Sequence, residues 1–360
     1  MNQMFRLDTG RAAAFEERMV GMLNEGAMCL MVSIGHRTGL FDAMSRMGWS
    51  DSAGIAREAG LEERYVREWL GAMTVGRIVD HEPRTGTYRL PPEHARVLTR
   101  DAEAGNFAVT AQEISVLGGV ETAIVECFRA GGGVPYGRFE RFHEVMMEES
   151  AQTVLPALID QILPLGGDVI ARLEAGIRVL DVGCGRGRAL TMMAEAFPNS
   201  RFVGYDLSEE AIEFANAGAA ARGLANLTFE VRDARDLAAT ADENAFDLVV
   251  TFDAIHDQAD PMSVLRGIRR TLREDGVYIC QDIRGSCHHH GNMDNVLGPF
   301  LYTVSTMHCM TVSLAQGGEG LGTMWGCETA IAYFADAGFS KVTQHELEHD
   351  IINAYYVCRP

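Results

Sequence analysis

The chain has little that would suit a membrane protein, a disulfide scaffold or a nucleic-acid binder. No uninterrupted apolar run approaches the roughly 20 residues of a membrane span, and the polar stretch Met1 to Gly10 has no apolar centre of the kind a secretory signal carries. Eight cysteines occur without a C-x-x-C pair, at 29, 127, 184, 280, 287, 309, 327 and 358. That scatter suits reduced thiols and not a disulfide framework or a zinc ribbon. Lysine occurs once, at Lys341, and 31 basic residues face 50 acidic ones, for a net charge of −19. Such a balance opposes general affinity for nucleic acid or anionic lipid. Low-complexity tracts and repeats are missing too. The expectation is a cytoplasmic globular protein whose 360 residues suffice for two cores.

What is present is most concentrated between Ile177 and Gly187, Ile-Arg-Val-Leu-Asp-Val-Gly-Cys-Gly-Arg-Gly. An apolar run ends in Asp181, Gly183, Gly185 and Gly187 follow at alternate positions, and a helical pattern runs from Ala189 to Phe197. This reads as a strand, a tight turn that lets the backbone approach a ligand, and a helix whose amino terminus faces that ligand. The spacing differs from the dinucleotide fingerprint G-x-G-x-x-G. An acid at the strand end would repel a pyrophosphate and suits a ligand bearing an ammonium group.

Upstream, apolar residues recur at helical spacing from about Ala13 to Ile34, with Met19, Met22, Leu23, Leu30, Met31 and Ile34 on one broad face. A helix start at Gly39 to Met44, helices over Ser52 to Ala59 and Glu62 to Val75, and two short strands between Ile78 and Leu90 make a winged-helix pattern over residues 1–92. Arg64 and Arg67 lie on the helix that would enter a DNA groove, but Glu62, Glu63 and Glu68 share it, and residues 1–90 carry 11 Arg against 12 Asp and Glu. The domain is therefore expected to pack between subunits of a homodimer and not to read DNA. Residues 93–176 read as a helical connector, interrupted at Gly131 to Gly137, with Tyr136 and the segment Phe139 to Glu149 as a lid or packed connector.

From Ile177 strands and helices alternate, which predicts a parallel sheet covered on both faces, with ligands at the strands' carboxyl ends. Acids stand at those ends. Asp206, followed by Leu207, can accept from ribose hydroxyls, or could cap the helix Glu209 to Ala221, a role open to Ser208. Asp233, followed by Ala234, can accept from an adenine amino group. Phe252 closes the fourth strand of the alternation, before Asp253.

Together, residues 177–282 resemble the class I S-adenosylmethionine-dependent methyltransferases. The resemblance implies an α/β fold with a Rossmann-like seven-stranded sheet over residues 177–360, S-adenosylmethionine as cofactor, and donor contacts from Asp181, Gly183, Gly185, Gly187, Asp206, Leu207, Asp233, Ala234 and Phe252. Asp253 to Gln258, Asp-Ala-Ile-His-Asp-Gln, resembles the segment after the fourth strand in small-molecule O-methyltransferases that carry an amino-terminal, dimer-forming winged helix. There the histidine is the general base, which implies His256 for that role, although Gln258 stands where that family has Trp. Imidazole titrates in the range the task needs.

The stretch 284–326 breaks the alternation and resembles that of a bacterial group of winged-helix methyltransferase-like proteins, implying a substrate lid. Tyr136, Tyr302, Met307, His308, Met310 and Trp325 would line a pocket for an apolar or aromatic methyl acceptor, or pack as plain core. Cys287 to His290, His308 and Cys309 match no usual zinc spacing, so no metal is expected. A thiol, amine or metalloid acceptor, and a cofactor-sensing regulator, remain as alternatives.

Overall fold

The computed structural model describes residues 7–101, 105–240 and 242–360. Most of the polar stretch Met1 to Gly10 therefore lies outside the described residues. Two compact units divide the chain, Met1–Gly118 and Gly119–Pro360. The expected connector over 93–176 is not a unit of its own, because its first helices belong to the first unit and the remainder to the second.

In the first unit, the helix Thr9–Arg37 is opened by Asp8, whose carboxylate accepts from Arg11 N at 3.0 Å. The short helix Leu40–Ser45 follows, then Ser52–Ala59, capped by Asp51 and stopped at Gly60, which adopts φ 66°. Glu63–Val75 is next, before the antiparallel strands β1 (Asp80–Glu82) and β2 (Thr87–Arg89). The core gathers Phe41, Ile55, Val66, Trp69, Leu70 and Met73. Trp69 donates its indole N–H to Met31 O at 2.9 Å. One face of the first helix stays outside this core, with Phe15, Met19, Met22, Leu23, Leu30 and Ile34 exposed. Arg64 and Arg67 are engaged within their own helix by Glu68 and Glu63.

The second unit is built on a seven-stranded sheet of β3 (Arg178–Val182), β4 (Arg201–Asp206), β5 (Leu227–Val231), β6 (Phe246–Phe252), β7 (Leu272–Ile283), β8 (Lys341–His345) and β9 (Asn353–Arg359). Their order is β5-β4-β3-β6-β7-β9-β8. From β5 to β7 all pairings are parallel, whereas β9 runs antiparallel to both β7 and β8. The parallel pairing expected of the alternating strands thus holds from β5 to β7, and the last two strands add an antiparallel edge. No helix separates β8 from β9, so the chain has no crossover to restore its direction and returns as an antiparallel strand. Alternate β6 residues serve opposite faces, Leu248 and Val250 one core and Val249 the other.

Within 284–326, the apolar run from Pro299 to Leu314 forms three successive helical pieces. Gly298–Val304 and Met310–Ala315 are α-helical and Ser305–Cys309 is a π-turn.

Candidate functional site

The glycine turn lies at the carboxyl end of the interior strand β3. Gly183 N and Cys184 N both donate to Tyr205 O on β4, at 2.8 and 3.0 Å, so the turn is pinned to the neighbouring strand. Gly187 has φ 71°, and a Cβ there would lie 2.3 Å from the Phe229 ring. Gly185 has φ 51° with open space where its Cβ would stand, and its N–H donates to Asp206 Oδ2 at 2.8 Å. Any side chain at 185 would occupy a space the backbone leaves free.

Asp206 receives a second bond on Oδ1 from Ser208 N at 2.8 Å. The helix Glu209–Ala221 is capped by Ser208, whose hydroxyl accepts from Ala211 N. Capping is therefore not what Asp206 does. Each of its oxygens keeps accepting capacity beyond one backbone bond. Asp233 binds the Arg235 guanidinium, which holds its carboxyl below the usual range.

Asp181 is the unusual group. It is 2 % exposed, and its Oδ1 has no hydrogen-bond partner. Burial, helped by the neighbouring Asp206 carboxylate, pushes its pKa up to about 8. A buried carboxylate oxygen left unpaired is costly, and a cation placed against it would reverse that cost.

These groups face one cavity of about 710 Å³ within the second unit. The 3₁₀ turn Tyr136–Arg138 and the helix Phe142–Gln152 cover it, contributing Tyr136, Phe139, Phe142, His143 and Met146. Tyr136 donates its hydroxyl to Asp257, which also lines the cavity and whose pKa burial raises to about 6. His143 reaches Glu210 at 3.3 Å, joining the covering helix to the helix after β4.

Behind this wall His256 is 3 % exposed, with Nδ1 2.7 Å from Asp282 Oδ1. Asp282, the penultimate residue of β7, also accepts from Trp325 Nε1 at 3.1 Å. Burial works against a charged His256, but the Asp282 carboxylate outweighs it and lifts the pKa well above the ordinary imidazole value. Asp253, His256 and Asp282 are, among the described residues, a group whose potential ligand atoms lie within 4.8 Å of one another. Cys287 and His288 to His290 do not converge with them; Cys287 and its histidines are exposed.

Residues 26–100 match the family model of the Rv2258c-like winged HTH domain, and residues 173–325 match that of a methyltransferase domain. The chain carries a winged-helix domain followed by a class I methyltransferase domain. Over 103 residues it is 34% identical to the ubiquinone biosynthesis O-methyltransferase of Neisseria meningitidis, covering 28% of this chain and 42% of that protein. Over 171 residues it is 29% identical to the enzyme of that name from Cereibacter sphaeroides, covering 47% of this chain and 65% of that one. The chain thus spans less than two thirds of the length of these curated relatives. In fold, it is similar to human N-acetylserotonin methyltransferase in complex with SAM, at TM-score 0.66 and 15% identity over 100% of this chain and 99% of that one. The mitomycin 7-O-methyltransferase MmcR gives TM-score 0.68 at 16% identity, over 98% and 100%.

Within the second unit, the cavity brings together Tyr136, Asp181, Gly183, Gly185, Gly187, Asp206, Leu207, Asp233, Ala234 and Phe252. His256, Tyr302, Met307, His308, Met310 and Trp325 are not on its surface. Trp325 is buried core and holds Asp282. Tyr302 packs near Ile283 and Leu301, its hydroxyl accepting from Asn292. Met307 and Met310 are half-buried. His308 stacks on Phe142 at 3.8 Å, and burial lowers its pKa to about 3. Sequence reading missed Asp282 as the partner of His256, although an acid ending a fifth strand was a visible signal.

Proposed function

We propose that the protein is an S-adenosylmethionine-dependent methyltransferase acting on a small acceptor. The observation that carries this reading is the unpartnered, buried Asp181 oxygen beside the glycine turn, in a cavity that also holds Asp206. Asp181 receives the donor's ammonium, the glycine turn admits its backbone-proximal part, Asp206 accepts from the ribose hydroxyls, and Asp233 with Ala234 meets the adenine edge. Leu207 and Phe252 flank these groups. Bound there, the donor supplies an electrophilic methyl group on sulfur. The protein's own work is alignment of the acceptor for in-line displacement beneath Tyr136 and the helix Phe142–Gln152.

The specific version is O-methylation with His256 as general base. Its Nδ1 proton is held by Asp282, an arrangement that supports the neutral tautomer with a lone pair on Nε2 and stabilises the imidazolium once the acceptor proton arrives. His256 lies behind the Asp257 wall, so the acceptor must reach it from the cavity when Tyr136 and Asp257 part. His308, Tyr302, Met307, Met310 and Trp325 then belong to the walls behind the acceptor. A homodimer in the cytoplasm, joined through the exposed apolar face of Thr9–Arg37, completes the reading.

Calorimetry with S-adenosylhomocysteine tests the donor site. Binding that Asp206→Ala weakens about tenfold or more supports it, and no binding by the unaltered protein defeats it. For the base, His256→Ala with full activity on an identified acceptor would remove that assignment alone.

A further inference from the structure

The charges around the cavity are not all matched. Arg141 bonds Glu144, Arg186 bonds Glu210 and Arg235 bonds Asp233, while Arg188 also lines the cavity and Arg232 bonds the Tyr205 hydroxyl and Thr240. On the donor reading, Asp181 and Asp206 are taken up by the donor. Asp253 and Asp257, both on the cavity wall, have hydrogen bonds from neutral side chains. Asp253 Oδ2 accepts from the Gln281 amide at 3.1 Å while Oδ1 is buried with no partner. Asp257 accepts from the Tyr136 hydroxyl. The nearby imidazole, His256, is committed to Asp282.

Asp253 is also held at φ 51°, the left-handed region, although it is not glycine. Its amide is tied there by a bond to Gln281 O at 3.0 Å. The backbone thus accepts a sparsely populated conformation in placing this carboxylate. Aromatic rings line the same cavity: Tyr136 and Phe142 lie 5.9 Å apart by their centroids, and Phe139 and Phe142 6.4 Å. Ring faces beside desolvated carboxylates are a setting that favours an organic cation with an aromatic body.

We propose that the acceptor is a small aromatic molecule bearing a protonated amine, whose ammonium is received by Asp253 and Asp257 while its ring packs against Tyr136, Phe139 and Phe142. The amine anchors the molecule and leaves another atom, such as a phenolic oxygen, to take the methyl group. This deepens the methyl-transfer reading and rests on it for the share of acids assigned to the donor. The unpaired Asp253 oxygen gains a charged donor in the complex, and the ring excludes water from the pair.

The test holds the phenol constant and varies the side-chain charge. Tyramine, 4-ethylphenol and 3-(4-hydroxyphenyl)propionate are titrated by calorimetry into the full-length protein saturated with S-adenosylhomocysteine. Tyramine should bind about tenfold or more tightly than 4-ethylphenol, with the carboxylate weakest. Asp253→Asn and Asp257→Asn should each bring tyramine and 4-ethylphenol to within about threefold, and two variants guard against one failing to fold. Equal or tighter binding of the neutral or anionic phenol overturns the proposal, as does failure of all three to bind. Loss of tyramine binding after dialysis against EDTA would assign the acids to a metal ion and overturn it as well. Should S-adenosylhomocysteine itself fail to bind while the tyramine preference persists without it, the donor reading falls and the cation site stands.

Discussion

At the scale of single residues, Asp181 links folding, protonation and ligand binding. Its folded pKa of about 8 stands above the roughly 4 of an unfolded Asp. The stability this shift contributes is present below about pH 4 and is lost as pH rises through about 8. Denaturant unfolding of the ligand-free protein should therefore show stability declining across that window, and Asp181→Asn should flatten the decline. A ligand ammonium needs the ionised carboxylate, so binding at pH 7 should release a proton. Calorimetry in two buffers of different ionisation enthalpy reads that release, and equal heats in both would contradict it.

His256 and Asp282 supply a second residue-scale prediction. With its pKa raised by Asp282, His256 stays protonated to higher pH, and a base must first lose that proton. Activity on an identified phenolic acceptor should rise along a limb whose midpoint lies above the ordinary imidazole value. Asp282→Asn should move that midpoint to lower pH while lowering the maximal rate about a hundredfold. A limb that stays in place in the variant would leave Asp282 with a packing role only.

At the scale of elements, what the sequence made legible was what local chemistry decides. Ser52–Ala59 lies between Asp51 and Gly60, and Glu209–Ala221 follows Ser208; both appear with the expected limits because cap and stop are neighbours in the chain. The glycine turn was legible for the same reason. Gly187→Val should destabilise the second unit by about 2 kcal/mol or more, since it adds a clash with Phe229 to a positive φ. Thermal unfolding checks this, and an unchanged midpoint would mean that the turn has slack.

Other features depended on partners far away in the chain. His256 meets Asp282 because β6 and β7 lie in parallel register, with Thr251 beside Cys280 and Phe252 beside Gln281. No local pattern encodes that register. The run Pro299 to Leu314 keeps helical spacing in its apolar residues, yet contains a π-turn at Ser305–Cys309 that carries His308 against Phe142. Periodicity alone does not reveal one extra residue in a turn. The acceptor residues expected from 302–325 were hard to place from sequence, because an apolar or aromatic type suits a core as well as a pocket, and Trp325 lies in the core.

For the whole molecule, composition constrained the class well and the assembly poorly. The net charge of −19 and the ion pairs that occupy Arg64 and Arg67 bear on what the winged helix contacts. None of the described helices is long and apolar enough to cross a membrane. The exposed Met19, Leu23 and Leu30 on the first helix are the basis of the dimer reading. Met19→Glu with Leu23→Glu should convert a dimer to monomer in sedimentation velocity without altering S-adenosylhomocysteine binding. A monomer before substitution would refute the dimer.

If the cavity around Asp181, Gly185 and Asp206 receives a methyl donor, calorimetric titration of the full chain with S-adenosylhomocysteine will show it. One site per chain at micromolar affinity or tighter is expected, weakened about tenfold or more by Asp206→Ala. Absence of heat with the folded, unaltered protein, or binding indifferent to both Asp206→Ala and Asp181→Asn, would contradict it.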